Sequence, residues 1–222
     1  MKSTLRWGIM GTGAIARKFA SGLKDSRTGQ LVAVGSRADE TLGAFLADYP
    51  ARGHATYEGL LADPEVEAVY ISTPHPMHAE WAIRAARAGK HILCEKPLTM
   101  NAAEAEAVIE AARAGGVFLM EAFMYRCHPQ TQRLLELVRE GSIGRLRLVQ
   151  AVFSFRSAWN PKGRLFDPAL GGGGILDVGC YCVSMSRLLA GVGAGAAFAE
   201  PIEGRGWGIS GRRGWMNSQW RC

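Results

Sequence analysis

The sequence predicts an α/β protein in which a doubly wound parallel sheet of the Rossmann type precedes a second, truncated α+β unit with an open sheet. Three observations lead to this prediction. Short apolar strands alternate with helices as far as residue 121, which is typical of a parallel sheet covered by helices. A glycine-rich turn follows the first strand. Beyond residue 121 the alternation stops, so we divide the chain into domains 1–122 and 123–222.

The first domain contains short apolar runs that are bounded by Gly, Pro and Asp. Such runs predict buried strands at 6–10, 30–36, 55–56, 68–72, 91–95 and 117–121. Apolar residues at helical spacing between these runs predict helices at 14–23, 38–49, 57–61, 77–88 and 102–114. The order of strands and helices then gives a parallel sheet with helices on both faces.

The second domain has a different pattern. An amphipathic helix is predicted at 129–139, and residues 144–155 alternate between apolar and polar side chains, as in a long half-buried strand. Residues 156–170 are predicted to form a loop, and a further helix is expected at 175–190. Glycine and alanine dominate 191–199, and residues 203–222 show no period, so we expect the end of the chain to be loosely held.

Composition and charge indicate an ordinary globular protein. The chain has 222 residues, of which 48% are hydrophobic and 21% charged, and its formal net charge is +6. Four arginines and one glutamate fall in the last twenty residues, so the rest of the chain is only mildly basic. We therefore do not expect nucleic acid as a partner, and the basic tail alone favours that alternative.

Cysteine usage and hydropathy suggest a cytoplasmic protein. Five cysteines are present in no C-x-x-C pattern, which favours reduced thiols: Cys94, Cys127, Cys180, Cys182 and Cys222. No uninterrupted apolar run reaches the roughly 18 residues of a membrane span, so we expect no membrane association. The N-terminus has no apolar signal-peptide core, so the chain is predicted to stay in the cytoplasm.

The glycine-rich turn, GTGAIA, matches G-x-G-x-x-[GA] between a strand and a helix. Gly11 permits the tight turn, Gly13 lets a pyrophosphate approach the backbone, and Ala16 lets the helix pack on the sheet. The backbone N–H groups at the start of the helix then hold the phosphates. The predicted cofactor-binding residues of this turn are Gly11, Thr12, Gly13, Ala14 and Ile15.

The end of the second strand indicates which dinucleotide is bound. NAD enzymes usually carry an acid there, whereas this strand ends in Ser36 and Arg37. A hydroxyl and a guanidinium suit the oxygens of a 2′-phosphate, so we expect NADP rather than NAD. The alternative interpretation is that Arg37 is a solvated loop residue.

Three further stretches carry a family resemblance. They are ISTPHPMH at 71–78, CEKPL at 94–98 and GGGGILDVGCYCVSMSRLLAG at 171–191. Together with the glycine turn they resemble the glucose–fructose oxidoreductase, inositol dehydrogenase and MocA (Gfo/Idh/MocA) family. The resemblance covers roughly residues 5–200 and is strongest to the branch with NADP-dependent xylose dehydrogenase and dimeric dihydrodiol dehydrogenase. It implies hydride transfer between nicotinamide and a CH–OH group of a sugar or trans-diol.

The resemblance implies three catalytic residues. Lys96 is expected beside the nicotinamide and the substrate hydroxyl, where its ammonium would stabilise an alkoxide. Asp177 and Tyr181 lie four residues apart, so they share one face of the predicted helix. Asp177 is expected to bind the substrate. Tyr181 is expected to be the base, assisted by a nearby cation such as Lys96.

Other residues complete the predicted site. The resemblance places Thr73, Pro74 and His78 on the nicotinamide side of the site. It places Glu95 either beside Lys96, whose side chain it would orient, or at the nicotinamide ribose. Met124, Arg126 and Phe153 are candidate walls of the substrate pocket, with plain packing as the alternative. His75 and His78 are separated by a proline and have no acidic partner at ligand spacing, so no metal site is expected.

The last residues depart from the family pattern. RRGWMNSQWRC has neither strand alternation nor helical period, which is typical of an out-of-frame translation after about residue 210 or of a truncated gene model. The substrate wall and the family's sheet-to-sheet homodimer face are then expected to be incomplete. The alternative to an active dehydrogenase is a catalytically weak or inactive dinucleotide-binding fragment.

Overall fold

A computed structural model describes residues 4–205 of the chain. The chain divides into two compact units, Met1–Ala122 and Phe123–Cys222. Each unit has a hydrophobic core of its own. The tryptophan-rich and arginine-rich end that the sequence predicts to be loosely held lies, from residue 206 onward, outside the described residues.

A six-stranded parallel sheet forms the first unit, in the order β3-β2-β1-β4-β5-β6. Its strands are β1 (Leu5–Met10), β2 (Gly29–Gly35), β3 (Arg52–His54), β4 (Ala68–Ile71), β5 (His91–Cys94) and β6 (Leu119–Glu121). The strand order reverses between β1 and β4, and in open α/β sheets such a switch point is where ligands bind, beyond the carboxyl ends of the strands. The predicted α/β fold class is confirmed.

Five helices of the first unit connect these strands. They are α1 (Ala14–Lys24), α2 (Asp39–Asp48), α3 (Tyr57–Ala62), α4 (His78–Arg87) and α5 (Ala102–Ala114). A single 3-10 turn, His75–Met77, precedes α4. The helices fall within about two residues of their predicted bounds, because their apolar periodicity and their flanking glycines and prolines are local signals.

Both faces of the sheet are buried, and alternate strand residues serve opposite faces. In β1, Ile9 belongs to the core beneath α1 and α2, whereas Met10 belongs to the core beneath α4 and α5. In β4, Tyr70 faces the first core, and Val69 faces the second. This two-sided burial explains why the strands are continuous apolar runs in the sequence.

The third strand lies three residues earlier than predicted. The sequence favours 55–56, but β3 pairs with β2 from Ala33↔Arg52 to Gly35↔His54. Thr56 is not available to the strand because it caps α3, where its Oγ1 accepts a hydrogen bond from the backbone N–H of Gly59 at 3.0 Å. The capping requirement therefore ends the strand before residue 55.

The described part of the second unit is helical. It contains α6 (Pro129–Arg139), a π-helical turn (Ile175–Gly179) and α7 (Cys180–Gly193), together with short 3-10 turns at Met124–Cys127 and Pro168–Leu170. The core joins α6 to α7 through Leu135, Val138, Leu188 and Val192. The predicted helix at 175–190 therefore begins with one wider turn and continues to Gly193.

The predicted strand at 144–155 is wrong for the described structure. Residues 145–159 make no backbone–backbone hydrogen bond within the described range, and Leu148 and Val152 are each 79% exposed. Alternation of side chains predicts which faces a strand would present, but a strand exists only when its N–H and C=O groups pair with a neighbour. No neighbouring strand is present among the described residues of this unit.

One segment meets the length and composition of a membrane span, although Asp177 and Arg187 interrupt its apolar residues. Pro168–Gly193 covers 26 residues with a mean hydropathy of 1.4 in its most apolar window, because glycine, cysteine and aliphatic residues surround its few charges. Core helices of water-soluble proteins reach the same values, so length and composition alone do not place this helix in a membrane.

Candidate functional site

The first glycine of the turn after β1 has a backbone conformation that only glycine adopts easily. Gly11 has φ +100°, and a Cβ there would lie 3.1 Å from Oγ and 3.3 Å from the carbonyl oxygen of Ser72. Its N–H donates to the carbonyl oxygen of Gly35 at 2.9 Å. The turn is therefore fixed between β2 and β4 at the switch point of the sheet.

The second glycine borders open space. Gly13 is the N-cap of α1, and no heavy atom lies within 4 Å of the position that its Cβ would take. No side chain caps α1, and its first turn contains no acid, while Ala14 and Ile15 are exposed. Ala16 is fully buried against the sheet. The N–H groups of this first turn are thus presented to solvent as phosphate donors, so the turn fits a pyrophosphate.

The carboxyl end of β2 brings hydroxyls together. Ser36 is buried, and its Oγ lies 3.5 Å from Oγ1 of Thr12 and 3.4 Å from Oγ1 of Thr41. Arg37 is exposed, with its guanidinium 5.5 Å from the ring centre of Tyr57 and donating to Sδ of Met77 at 3.5 Å. Thr41 was not among the residues that the sequence singled out.

A buried histidine joins the loops that follow β4 and β5. The ring of His78 is fully buried, with Nε2 2.9 Å from the carbonyl oxygen of Thr73 and Nδ1 2.8 Å from that of Pro97. Oγ1 of Thr73 is buried without a hydrogen-bond partner among the described residues. A buried hydroxyl left unpaired is costly, so it points to a ligand on this side of the loop.

The glutamate beside the predicted catalytic lysine has protein partners. Glu95 accepts a hydrogen bond from the hydroxyl of Tyr70 at 2.5 Å and another from the backbone N–H of Lys96 at 3.2 Å. The Lys96–Pro97 peptide bond is cis. Glu95 was expected either to orient Lys96 or to contact the nicotinamide ribose. These contacts favour the first role.

The thiol of Cys94, at the end of β5, is in an environment that makes it unreactive. Cys94 is buried, and this burial, with the nearby carboxylates of Glu121 and Glu95, raises the pKa of its thiol well above the usual range. Glu121 also accepts a hydrogen bond from the backbone N–H of Leu98 at 2.8 Å. Cys94 is therefore a structural residue.

Tyr181, in the second unit, is surrounded by aromatic rings. Its ring centre lies 5.4 Å from that of Phe123, 6.1 Å from that of Tyr125 and 5.5 Å from that of Phe153. Edge and tilted contacts of this kind restrict the ring. Tyr181 stands in the first turn of α7, and Asp177 stands in the π-helical turn that leads into it.

Asp177 borders a cleft and forms an ion pair that the sequence did not reveal. Its side chain is only 9% exposed, and Oδ1 accepts a hydrogen bond from Nη1 of Arg164 at 2.9 Å. The cleft has a volume of about 300 Å³, and its lining includes Asp177, Phe153 and Phe166. Arg164 lies in the loop at 156–170, where no periodic pattern marks individual residues.

The three predicted pocket walls have different environments. Phe153 lines the cleft, as described. Met124 is 72% exposed and is not among the lining residues. Arg126 stacks over Phe198 at 4.4 Å and donates to Oγ of Ser184 at 3.0 Å. These contacts pack Arg126 within the second unit, and its buried Nε has no hydrogen-bond partner among the described residues.

A switch-point glycine turn that opens an uncapped helix defines a dinucleotide-binding protein of the Rossmann class. The chain belongs to the Gfo/Idh/MocA oxidoreductase family. The family model described as "Oxidoreductase family, NAD-binding Rossmann fold" matches residues 5–123, and that of the GFO/IDH/MocA C-terminal domain matches residues 131–199. The resemblance found in the sequence is confirmed.

Two dehydrogenases are similar to this chain over most of its length. A D-xylose 1-dehydrogenase (NADP⁺) of Haloferax volcanii is 40% identical over 189 residues, which are 84% of this chain and 58% of the relative. A trans-1,2-dihydrobenzene-1,2-diol dehydrogenase of Mus musculus is 40% identical over 190 residues, 84% of this chain and 56% of the relative. The chain thus spans little more than half the length of these curated relatives.

One solved structure is also similar to most of this chain. A 3-ketoreductase from Actinomadura kijaniata, in complex with NADP and TDP-benzene, superposes with a TM-score of 0.72 at 31% identity. The match covers 85% of this chain and 58% of that protein.

Proposed function

We propose that this protein is an NADP-dependent oxidoreductase that transfers hydride between the CH–OH group of a sugar or trans-diol and nicotinamide. The open, uncapped N-terminus of α1 behind Gly13 carries this proposal, because it offers donors for a pyrophosphate and leaves room for it. The absence of an acid at Ser36–Arg37 supports NADP rather than NAD. The hydroxyl of Thr73, buried without a partner among the described residues, supports a ligand at the loop after β4 without distinguishing the two dinucleotides. Similarity to an NADP-dependent xylose dehydrogenase and to a dihydrodiol dehydrogenase supports the substrate class.

The dinucleotide, when bound, supplies the hydride acceptor for alcohol oxidation. In that direction, Tyr181 in its deprotonated form takes the hydroxyl proton of the substrate and becomes a neutral phenol, while hydride leaves the carbon that carries this hydroxyl for that acceptor. Lys96 stabilises the negative charge on the oxygen, and Asp177 accepts a hydrogen bond from a substrate hydroxyl and so orients it. The aromatic rings around Tyr181 restrict its ring, so that its hydroxyl is held in one direction.

Single substitutions test these roles. Lys96→Met and Tyr181→Phe should each lower turnover of D-xylose or of a trans-diol by about 10²-fold or more, the usual scale for acid–base and oxyanion groups. Tyr181→Phe keeps the aromatic packing, so NADPH affinity, measured by fluorescence titration, should stay near the wild-type value. Near-normal turnover in Tyr181→Phe would remove the tyrosine from the mechanism.

A second candidate function is a dinucleotide-binding protein with weak or no catalysis. The specific observation that favours it is the exposed, unpaired segment 145–159 among the described residues, since Phe153 and Phe155 on this segment line the cleft at Asp177. Titration with NADPH and a turnover assay on the same preparation separate the two candidates. Binding with turnover supports the oxidoreductase, and binding without turnover supports the second candidate.

A further inference from the structure

The segment from residue 163 to residue 173 turns back on itself before the π-helical turn begins. The backbone N–H of Gly172 donates to the carbonyl oxygen of Asp167 at 2.9 Å, and the N–H of Gly173 donates to that of Leu165 at 3.0 Å. These bonds pair the start of the segment with its end, so it has a defined conformation although it contains no strand. We call residues 163–173 the return turn.

Two glycines at the end of the return turn allow it to close. A Cβ on Gly172 would lie 2.8 Å from the backbone nitrogen and oxygen of Asp167, closer than Cβ atoms approach other atoms. Gly173 has φ +118°, a conformation that residues with a side chain rarely adopt. The glycine run at 171–174, which is prominent in the sequence, is therefore required by the return turn.

The return turn brings Arg164 to Asp177, which lies 13 positions further along the chain. Arg164 belongs to the first half of the turn, and beyond the second half the N–H of Asp177 donates to the carbonyl oxygen of Gly173 at 3.4 Å. The side chains then meet with 2.9 Å between Nη1 and Oδ1. Asp177 lines the cleft, whereas Arg164 is exposed and is not among the lining residues. The guanidinium therefore contacts the carboxylate from outside the cleft.

We propose that Arg164 is a positioning residue that holds the carboxylate of Asp177 in the form and direction that bind a substrate hydroxyl; the inference rests on the proposed function. An ionised carboxylate is only an acceptor, so it receives hydrogen bonds from hydroxyls. The positive charge of the guanidinium favours this ionised form, and its hydrogen bond to Oδ1 restricts rotation of the side chain. Arg164 thus acts on the substrate through Asp177.

A purely structural role for Arg164 is the competing interpretation. In that case the arginine stabilises only the return turn, and its loss reduces stability and activity whether or not the carboxylate of Asp177 is present. A positioning role makes the opposite prediction. An arginine that acts through the carboxylate has no further effect on activity once that carboxylate has been removed, so the two substitutions are not additive.

The test measures kcat and KM for D-xylose and for a trans-diol, with NADP⁺, in wild type, Arg164→Gln, Asp177→Asn and the double variant of the full chain. Arg164→Gln should lower kcat/KM about tenfold, the low end for a hydrogen bond to a charged group, with most of the change in KM. Asp177→Asn should lower kcat/KM at least as much, and the double variant should match Asp177→Asn within about twofold. NADPH affinity, measured by fluorescence titration, should stay near the wild-type value in Arg164→Gln.

Chemical rescue gives a second readout. Because the side chain of Arg164 is 59% exposed, a small guanidinium ion can enter its place from solvent in Arg164→Ala. Methylguanidinium should raise kcat/KM of Arg164→Ala several-fold and should not change that of Arg164→Ala combined with Asp177→Asn. Arg156→Gln removes another exposed arginine, next to the cleft residue Phe155, and is the matched control that should keep the wild-type kcat/KM.

Each outcome decides a different point. Wild-type kinetics in Arg164→Gln, losses that multiply in the double variant, or rescue that persists without Asp177 overturns the positioning role and leaves the proposed function in place. An equal loss in Arg156→Gln also overturns it, because charge near the cleft would then be the cause. A wild type without turnover of either substrate overturns the proposed function, and this inference with it. Thermal unfolding identifies a folding defect, and in that case Arg164→Met, which keeps the length of the side chain, repeats the comparison.

Discussion

Arg164 donates a hydrogen bond from Nη1 to Oδ1 of Asp177 at 2.9 Å, and the two side chains are exposed to very different extents. The arginine is 59% exposed and the aspartate 9%. A nearly buried carboxylate depends on its partner much more than an exposed one does, because water cannot replace the lost hydrogen bond. The ion pair therefore helps to fix the side chain proposed to bind substrate.

A double-mutant cycle measures this dependence. Arg164→Gln, Asp177→Asn and the double variant should give a coupling of roughly 1 kcal/mol in the free energy of unfolding, since the arginine is partly solvated. The Arg133–Glu136 pair of α6 is the matched control, with an equally exposed arginine and a partner that is 51% exposed. It should couple by about 0.3 kcal/mol, as exposed helical pairs do. Equal coupling in the two cycles would contradict the interpretation of the Asp177 pair.

Gly13→Ala should separate folding from cofactor binding. No atom lies within 4 Å of the added methyl group, so the free energy of unfolding should change by less than about 1 kcal/mol. The same methyl group occupies the space proposed for the pyrophosphate, so the NADPH dissociation constant should rise by about tenfold or more. Gly22→Ala, also in open space but near the end of α1, is the control and should leave NADPH affinity unchanged. Wild-type NADPH affinity in the Gly13→Ala variant would show that the pyrophosphate binds elsewhere.

Acid should destabilise the first unit through Asp63. Burial alone would raise the pKa of this carboxyl, but hydrogen bonds from His54, from the backbone N–H of Glu65 and from Arg52 outweigh it and lower the pKa. A pKa that is lower in the folded state than the usual value of about 3.9 stabilises the fold above that value, and this stabilisation is lost as the pH falls through the folded-state pKa. Urea unfolding of wild type should therefore show a decline below about pH 4.

The Asp63 contribution can be isolated by substitution. Asp63→Asn removes the titrating group and should be less stable near neutral pH but show a smaller decline in acid. Asp25→Asn, at an exposed carboxylate after α1, should keep the wild-type decline. If Asp63→Asn keeps the full acid dependence, other carboxylates are responsible for it.

Two cysteines should differ sharply in reactivity. Cys94 is buried with a raised thiol pKa, whereas Cys127 is exposed. Because the thiolate is the reacting form, iodoacetamide at neutral pH should label Cys127 rapidly and leave Cys94 unlabelled in the folded protein. Peptide mass spectrometry reads both sites, and labelling in urea is the control that should remove the difference. Equal labelling rates of Cys94 and Cys127 in the folded protein would show that β5 is readily exposed to solvent.

The sequence was most informative where burial is local and two-sided. Ile9 and Met10 serve opposite cores, so the strand is a short apolar run whatever its neighbours are. The glycine turn was equally predictable from the sequence, because a φ of +100° at Gly11 excludes most other residue types. By contrast, residues 144–155 have the side-chain pattern of a strand, yet pairing depends on distant backbone that a local pattern does not contain.

The candidate site shows the same limit. Arg164 lies in a loop, and its pairing with Asp177 depends on how residues 160–173 turn back, through hydrogen bonds such as the one from the N–H of Gly173 to the carbonyl oxygen of Leu165. Thr41 has the sequence context of an ordinary exposed helix residue. Its proximity to Thr12, 29 positions away, arises only because parallel strands end at the same edge of the sheet.

The assignment of residues to separate compact units has a consequence for evolutionary change. On the proposed function, every cofactor residue lies between Gly11 and Lys96, whereas the cleft at Asp177 is lined by side chains after residue 150. A mutation of Phe153 can reshape the cleft and leave the glycine turn intact. Substrate specificity can thus change during evolution without a change in cofactor specificity, and one ancestral dinucleotide-binding unit can be retained by enzymes that act on different substrates.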